Sequence, residues 1–374
     1  MGRKQGEYTM RKNTNALGGF RAEAVETASK GCTCCLPRRG FLAGLGAAAV
    51  GLVAPFPKAA AQPAKAGILD VHAHLTPPEY IQDLAGTNLL TPPTLNWSIA
   101  KHLDDMQKGG VTTSILSVTT PGVTFGDVAR TRLIARHVND YAAKLVSDHK
   151  GRLGMFVAMP LPDPDSALKE IEYGLDVLKA DGIGLFTSYD GKWLGDPVYA
   201  PVFEELNRRK ALVYVHPASP KCCIDALPYI PDAIIEYGTD TTRAITNMIY
   251  MGAARRYPDI RLIWSHAGGT MPFLIERYDV SDRIIPALKK AAPDGFRAEA
   301  KKFFYDTAQT SNPVAMGALR QVIPVSQIVF GTDFPFRTTA EHVKGLEASQ
   351  TFSQDELRAI YRENALKLLP QYKS

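Results

Sequence analysis

Five side chains in this sequence have the types and spacing that hold a metal ion. They are His72 and His74 in "DVHAH", His216 in "YVHP", His266 in "WSHAGG" and Asp333 in "GTDFPF". Each stands at or just beyond the end of a short apolar run rich in β-branched residues. Residues i and i+2 of a strand point to the same side, so His72 and His74 aim two imidazoles at one spot. Three neutral imidazoles and a carboxylate suit a borderline divalent ion, Zn²⁺ first with Mn²⁺ or Co²⁺ as alternatives, and leave a position open for water or substrate. The ligands expected on this reading are His72, His74, His216 and Asp333. His266 is expected beside them as an acid/base group, because a ring next to a metal-bound water can shuttle its proton. The remaining histidines, His102, His137, His149 and His342, lie in polar, helix-like segments, where surface placement is the expectation for most of them.

The elements that must position these groups follow from periodicity. Eight apolar runs read as strands: 67–74, 112–119, 152–160, 182–186, 211–217, 261–269, 303–308 and 328–335. Between them lie amphipathic stretches, among them 127–149, 165–179, 197–209 and 241–257. Strand and helix alternating eight times predict an α/β fold, a (β/α)₈ TIM barrel. Barrel active sites form at the C-terminal ends of the strands, which is where all five groups fall. The segment 217–240, with four prolines, is long enough to serve as an active-site lid.

Charge and composition narrow the partners. The chain has 374 residues and a formal charge of +5, with 45% hydrophobic and 22% charged residues. Residues 1–61 hold nine Lys/Arg against three Glu, which leaves 34 basic and 35 acidic residues in the remainder. The basic excess belongs to the leader, so the body carries no electrostatic case for nucleic acid. The leader pairs Arg38 and Arg39 with an apolar Gly/Ala/Val/Leu run and a small-residue site at Ala59–Ala61. It resembles a twin-arginine (Tat) export signal, with Pro37 where Ser or Thr usually stands. The expected organisation is a signal peptide over 1–61 (n-region 1–41, h-region and cleavage site 42–61) and a catalytic domain over 62–374. That implies passage through the Tat translocase, a periplasmic location, and no stable membrane span after cleavage.

Five cysteines do not make a disulfide framework. Cys32, Cys34 and Cys35 lie in the leader, and Cys222 and Cys223 are adjacent in the long loop, where free thiols are expected.

The motifs "HAH", "HP", "HAGG" and "GTDFPF", in that order, resemble the amidohydrolase superfamily. Within it they resemble the amidohydrolase-2 branch that contains aminocarboxymuconate-semialdehyde decarboxylase. The phrases "TPGV", "LGDPVYAPVFEELNRR", "DTTRAITNM" and "FFYDTA" are similar to 6-methylsalicylate decarboxylase-like members. The resemblance runs from about Ile68 to the C-terminus. It implies one ion held by His72, His74, His216 and Asp333, with His266 assisting proton transfer and Asp333 a proton donor. It also implies a homodimer in which Arg277, eleven residues beyond His266, reaches the neighbouring site and grips a substrate carboxylate. A second clamping arginine of the muconate enzyme falls near His102, where this chain has none. His102 is therefore expected as a substrate-polarising residue, and a doubly clamped dicarboxylate is disfavoured.

Missing residues separate the reactions. No lysine or glutamate ends the fourth strand in "GIGLFTSYDG", which argues against two bridged metals, and no acid follows His216 in "HPASP", which argues against deamination. The expectation is a metal-dependent decarboxylase of a small aromatic or conjugated carboxylic acid. The alternative is a mononuclear hydrolase of a lactone, ester or amide. A third reading, a ligand or metal carrier without turnover, leaves His266 and Asp333 without a task.

Overall fold

Runs of Val, Ile, Leu and Phe that are apolar on both faces can only be strands covered on both sides, and eight of them are. They are β1 Ile68–His74, β2 Val111–Ser117, β3 Leu153–Ala158, β4 Gly182–Phe186, β5 Leu212–His216, β6 Arg261–Trp264, β7 Phe304–Asp306 and β8 Ile328–Val329. In this computed structural model, which describes residues 67–227 and 229–373, they pair in chain order and all in parallel. The sheet closes on itself. Val71 N–H donates to Phe330 O at 3.0 Å, His74 N–H donates to Phe334 O at 2.8 Å, and Ala73 bridges Phe334. The expected (β/α)₈ barrel is the fold, and the leader and its cysteines fall outside the described residues.

Helices cover the outside. The segment expected at 127–149 is the helix Val128–Asp148, started by Asp127, whose carboxylate accepts from Arg130 N–H at 2.8 Å. Ile134, Ala135, Val138, Ala142 and Leu145 form its buried stripe. The segment expected at 241–257 starts earlier, at Glu236, and ends at Tyr250, where Gly252 at φ 74° separates it from Ala253–Arg256. The loop after β5 is correspondingly shorter, since its last residues form helix.

The two ends of the barrel differ. Inside, Leu69, Ile115, Phe156, Leu212, Ile263 and Val329 pack with Ala365 and Leu368 of the C-terminal helix Asn364–Leu368 and with Leu369 just after it. Arg261, at the start of β6, donates to Leu368 O, and the Tyr372 hydroxyl bonds Asp181, next to the start of β4. The chain terminus therefore plugs the end where strands begin. The opposite mouth is left for chemistry.

Two expectations are corrected. His342 is not on the surface but buried, because its helix turns that face inward, and His102 is buried too, as an inward position required. His342 Nδ1 pairs with Ser311 Oγ at 2.8 Å. Cys222 and Cys223 are not free thiols; a turn in which Cys223 N–H donates to Pro220 O lets the two sulfurs meet in a vicinal disulfide. Among the described residues, no helix is long and apolar enough to cross a membrane.

Candidate metal centre

His72 and His74 leave β1 on the same side, with their Nε2 atoms 3.1 Å apart. His216 ends β5, His266 follows β6 by two residues, and Asp333 follows β8 by four. All five are buried. The backbone bends to bring them there: His266 takes φ 52° and Asp333 φ 61°, a left-handed region that residues with a Cβ seldom occupy and that recurs at functional sites. Gly331 lets the last segment lie against the first strand. A Cβ at this glycine would meet His72 Cβ at 2.8 Å and Asp306 Cβ at 3.0 Å.

Three rings divide their two nitrogens in one manner. His72 Nδ1 pairs with Asp306 Oδ2 at 2.7 Å, His216 Nδ1–H donates to Pro217 O at 2.8 Å, and His74 Nδ1 lies 3.2 Å from Ser117 Oγ. With Nδ1 occupied on the outside, each ring presents Nε2 to the centre, the second-sphere arrangement that orients metal-ligating imidazoles. The three Nε2 atoms gather around a single oxygen. Asp333 Oδ1 stands 2.8 Å from that of His74, 3.2 Å from that of His72 and 3.9 Å from that of His216.

The second oxygen has other company. Asp333 Oδ2 lies 3.5 Å from His266 Nε2 and accepts a hydrogen bond from Gln309 Nε2 at 2.9 Å. His266 Nε2 is itself buried with no hydrogen-bond partner among the described residues. Ligand atoms of His72, His216, His266 and Asp333 all lie within 4.8 Å of one another. A converging set of imidazole nitrogens, a carboxylate oxygen and one orphaned buried ring nitrogen fits a divalent ion with an attendant water.

Electrostatics agree with that fit. Burial presses His216 down to about 3 and lowers His74, so both rings stay neutral, as ligands must. Burial acts against a charged His72 as well, but the Asp306 and Asp333 carboxylates outweigh it and push that ring up to about 10. Burial would raise Asp333, yet His72, His216 and His266 hold it well below the usual carboxylate range. Two acids thus face one ring, and the centre favours an added positive charge.

Around the mouth stand aromatic rings. Phe186 and Tyr237 lie edge-on to His216 at 6.0 and 6.1 Å, and Phe336 lies edge-on to His74 at 6.1 Å. The Tyr237 hydroxyl reaches across to Thr120 Oγ1 at 2.7 Å, tying the helix after β5 to the segment after β2.

The two expected substrate residues are not among the converging groups. His102 is buried between Trp97 and Phe334, with Nε2 on Ser114 Oγ at 3.1 Å and Nδ1 unpartnered. Arg277 is exposed on the helix Ile275–Ile284 and has no hydrogen bond or ion pair among the described residues. Asp306 and Gln309 belong to the centre and were not singled out from sequence. Asp306 lies inside the expected strand 303–308 and ends only the shorter observed strand β7, so the strand-end rule passed it over. Gln309 carries no strand-end signal.

A sequence model of the family described as amidohydrolase matches residues 69–371. The chain is 34% identical over 319 residues to a 6-methylsalicylic acid decarboxylase of Penicillium expansum, covering 82% of this chain and 97% of that one. A solved amidohydrolase II superposes with a TM-score of 0.75 at 26% identity, covering 81% of this chain and all (100%) of that one. The fold is also that of a dihydroxybenzoic acid decarboxylase from Polaromonas sp. JS666, solved with bound manganese and the inhibitor 2-nitroresorcinol. There the TM-score is 0.72 at 22% identity, over 82% of this chain and 98% of the other.

Proposed function

The chain belongs to the amidohydrolase family, and from that premise we propose that it is a metal-dependent decarboxylase of a small aromatic carboxylic acid. The observation that carries the reading is the gathering of three Nε2 atoms on Asp333 Oδ1, in a chain one-third identical to a 6-methylsalicylic acid decarboxylase. His72, His74, His216 and Asp333 hold the ion. His266 is assigned to acid/base work beside that set, with its Nε2 3.5 Å from Asp333 Oδ2 and its ligand atom within 4.8 Å of those of His72, His216 and Asp333. Zn²⁺ is the proposed ion, and the same donors accept Mn²⁺ or Co²⁺.

The ion, when bound, polarises a carboxylate or neighbouring hydroxyl oxygen of the substrate. The chain's own residues do the rest. As the ring–carboxylate bond breaks and CO₂ leaves, the bonding electrons pass into the aromatic system. A proton must then reach the ring carbon, and the pair formed by Asp333 Oδ2 and His266 Nε2, 3.5 Å apart, is the proposed source. Phe186, Tyr237 and Phe336 flank the mouth with flat apolar surface, which suits a planar ring and helps exclude water.

The test is CO₂ release by zinc- or manganese-loaded protein offered 6-methylsalicylate and dihydroxybenzoates. No release, together with turnover of a lactone or ester, would replace this reading with a mononuclear hydrolase.

The unpaired, exposed Arg277 supports a homodimer in which it serves the neighbouring site. Sedimentation shows whether the protein is a dimer, and Arg277→Ala should then raise KM. The Arg38–Arg39 pair supports Tat export to the periplasm. Cell fractionation after replacing both arginines by lysine should leave the protein in the cytoplasm.

A further inference from the structure

One exposed side chain reaches into the metal centre from its rim. Gln309 donates its Nε2–H to Asp333 Oδ2 at 2.9 Å. The other group at that oxygen, His266 Nε2, stands at 3.5 Å, the outer limit of hydrogen bonding. The carboxylate is held at its Oδ1 end by His74 and His72, so its rotation about Cβ–Cγ is resisted at the Oδ2 end by Gln309.

The position of Gln309 is built into the fold. Asp306 Oδ1 accepts from Ala308 N–H at 3.0 Å and from His266 N–H at 2.8 Å, while Thr310 N–H donates to Thr307 O at 3.2 Å. In the resulting turn Gln309 takes φ 55°, a conformation sparsely populated by a residue with a Cβ. One buried acid, Asp306, therefore positions the His72 ring, the His266 backbone and the turn that presents the Gln309 amide.

We infer that Gln309 is a positioning residue for the decarboxylation proposed above. Its amide sets the plane of the Asp333 carboxylate, keeping Oδ1 with the imidazole Nε2 atoms and Oδ2 toward His266. Gln309 thereby serves the proton-transfer step and not substrate capture. The inference rests on the decarboxylase reading for its kinetic consequence and on geometry alone for its spectroscopic one.

Gln309→Met keeps the length of the side chain and removes the donor; Gln309→Glu keeps its shape and sets an anion against Asp333. In the metal-loaded enzyme, Gln309→Met should lower kcat about 10–100-fold, the usual effect of removing an outer-sphere partner. KM should stay within about threefold, with metal content and melting temperature unchanged. Gln309→Glu should lose more. Without substrate, the visible absorption of Co²⁺-loaded Gln309→Met should shift from that of the wild type, because the carboxylate plane is freed. A kcat within about twofold of wild type, or a raised KM at unchanged kcat, overturns the inference. Loss of the ion, or an unchanged Co²⁺ spectrum, overturns it as well. If the wild type itself releases no CO₂, the decarboxylase reading fails, and the Co²⁺ spectra still decide the role of Gln309.

Discussion

Asp306 Oδ2 lies 2.7 Å from His72 Nδ1, and both side chains are completely buried. This pair fixes which nitrogen His72 turns to the centre, and through Oδ1 the same acid holds His266 N–H and Ala308 N–H. One buried acid thus arranges the His72 ring, the His266 backbone and the turn before Gln309.

Replacing Asp306 tests that role. Asp306→Asn keeps the shape but removes the charge facing the ring, and should weaken metal affinity or activity about 10–100-fold. Asp306→Ala also strands two buried backbone donors, adding about 1–3 kcal/mol of destabilisation for each one left unsatisfied. Chelator competition and thermal melting measure the two effects.

Stripping the ion should abolish CO₂ release, and adding Zn²⁺ or Mn²⁺ should restore it. Since the ion binds the folded centre, stability should rise with its free concentration, by about 2.7 kcal/mol at one hundred times Kd. Melting curves across a metal titration give the dependence.

The His72 ring makes metal binding and stability depend on pH. In the metal-free protein its pKa is pushed up to about 10 from an ordinary 6.5, after Asp306 and Asp333 overcome the cost of burial. A folded-state pKa above the unfolded one stabilises the fold fully below the unfolded value and is lost as pH rises through the folded value. Metal-free protein should therefore lose stability between about pH 6.5 and 10, a trend that denaturant melts follow. An ion entering near neutral pH must displace that proton, so about one proton should be released per ion bound. Calorimetry in buffers of different ionisation heat counts it.

Gly331→Ala should damage the centre without changing its chemistry. The new methyl would stand 2.8 Å from His72 Cβ and 3.0 Å from Asp306 Cβ. Strand and ring must move apart, at a cost of about 1–3 kcal/mol typical of overpacking. Metal content after purification and melting temperature both report it.

Local pattern alone was enough for the barrel and for the five polar side chains that converge at its mouth. An apolar run bounded by turns reads as a strand wherever it lies, and a polar group at its C-terminal end faces the mouth because barrel geometry leaves it nowhere else to go. The His72–His74 pairing follows from the two-residue period of a strand. What tertiary structure decided is the company these groups keep. Asp306 meets His72 across 234 residues of chain, and no local rule ranks that partner above any other acid. His102 and His342 turned inward because helix packing, not polarity, selects the buried face. Gln309 meets Asp333 across 24 residues of chain, through a left-handed turn held by Asp306 at the end of β7. Residue type and period determine which groups can bind an ion; long-range packing determines which oxygen and which nitrogen each one offers.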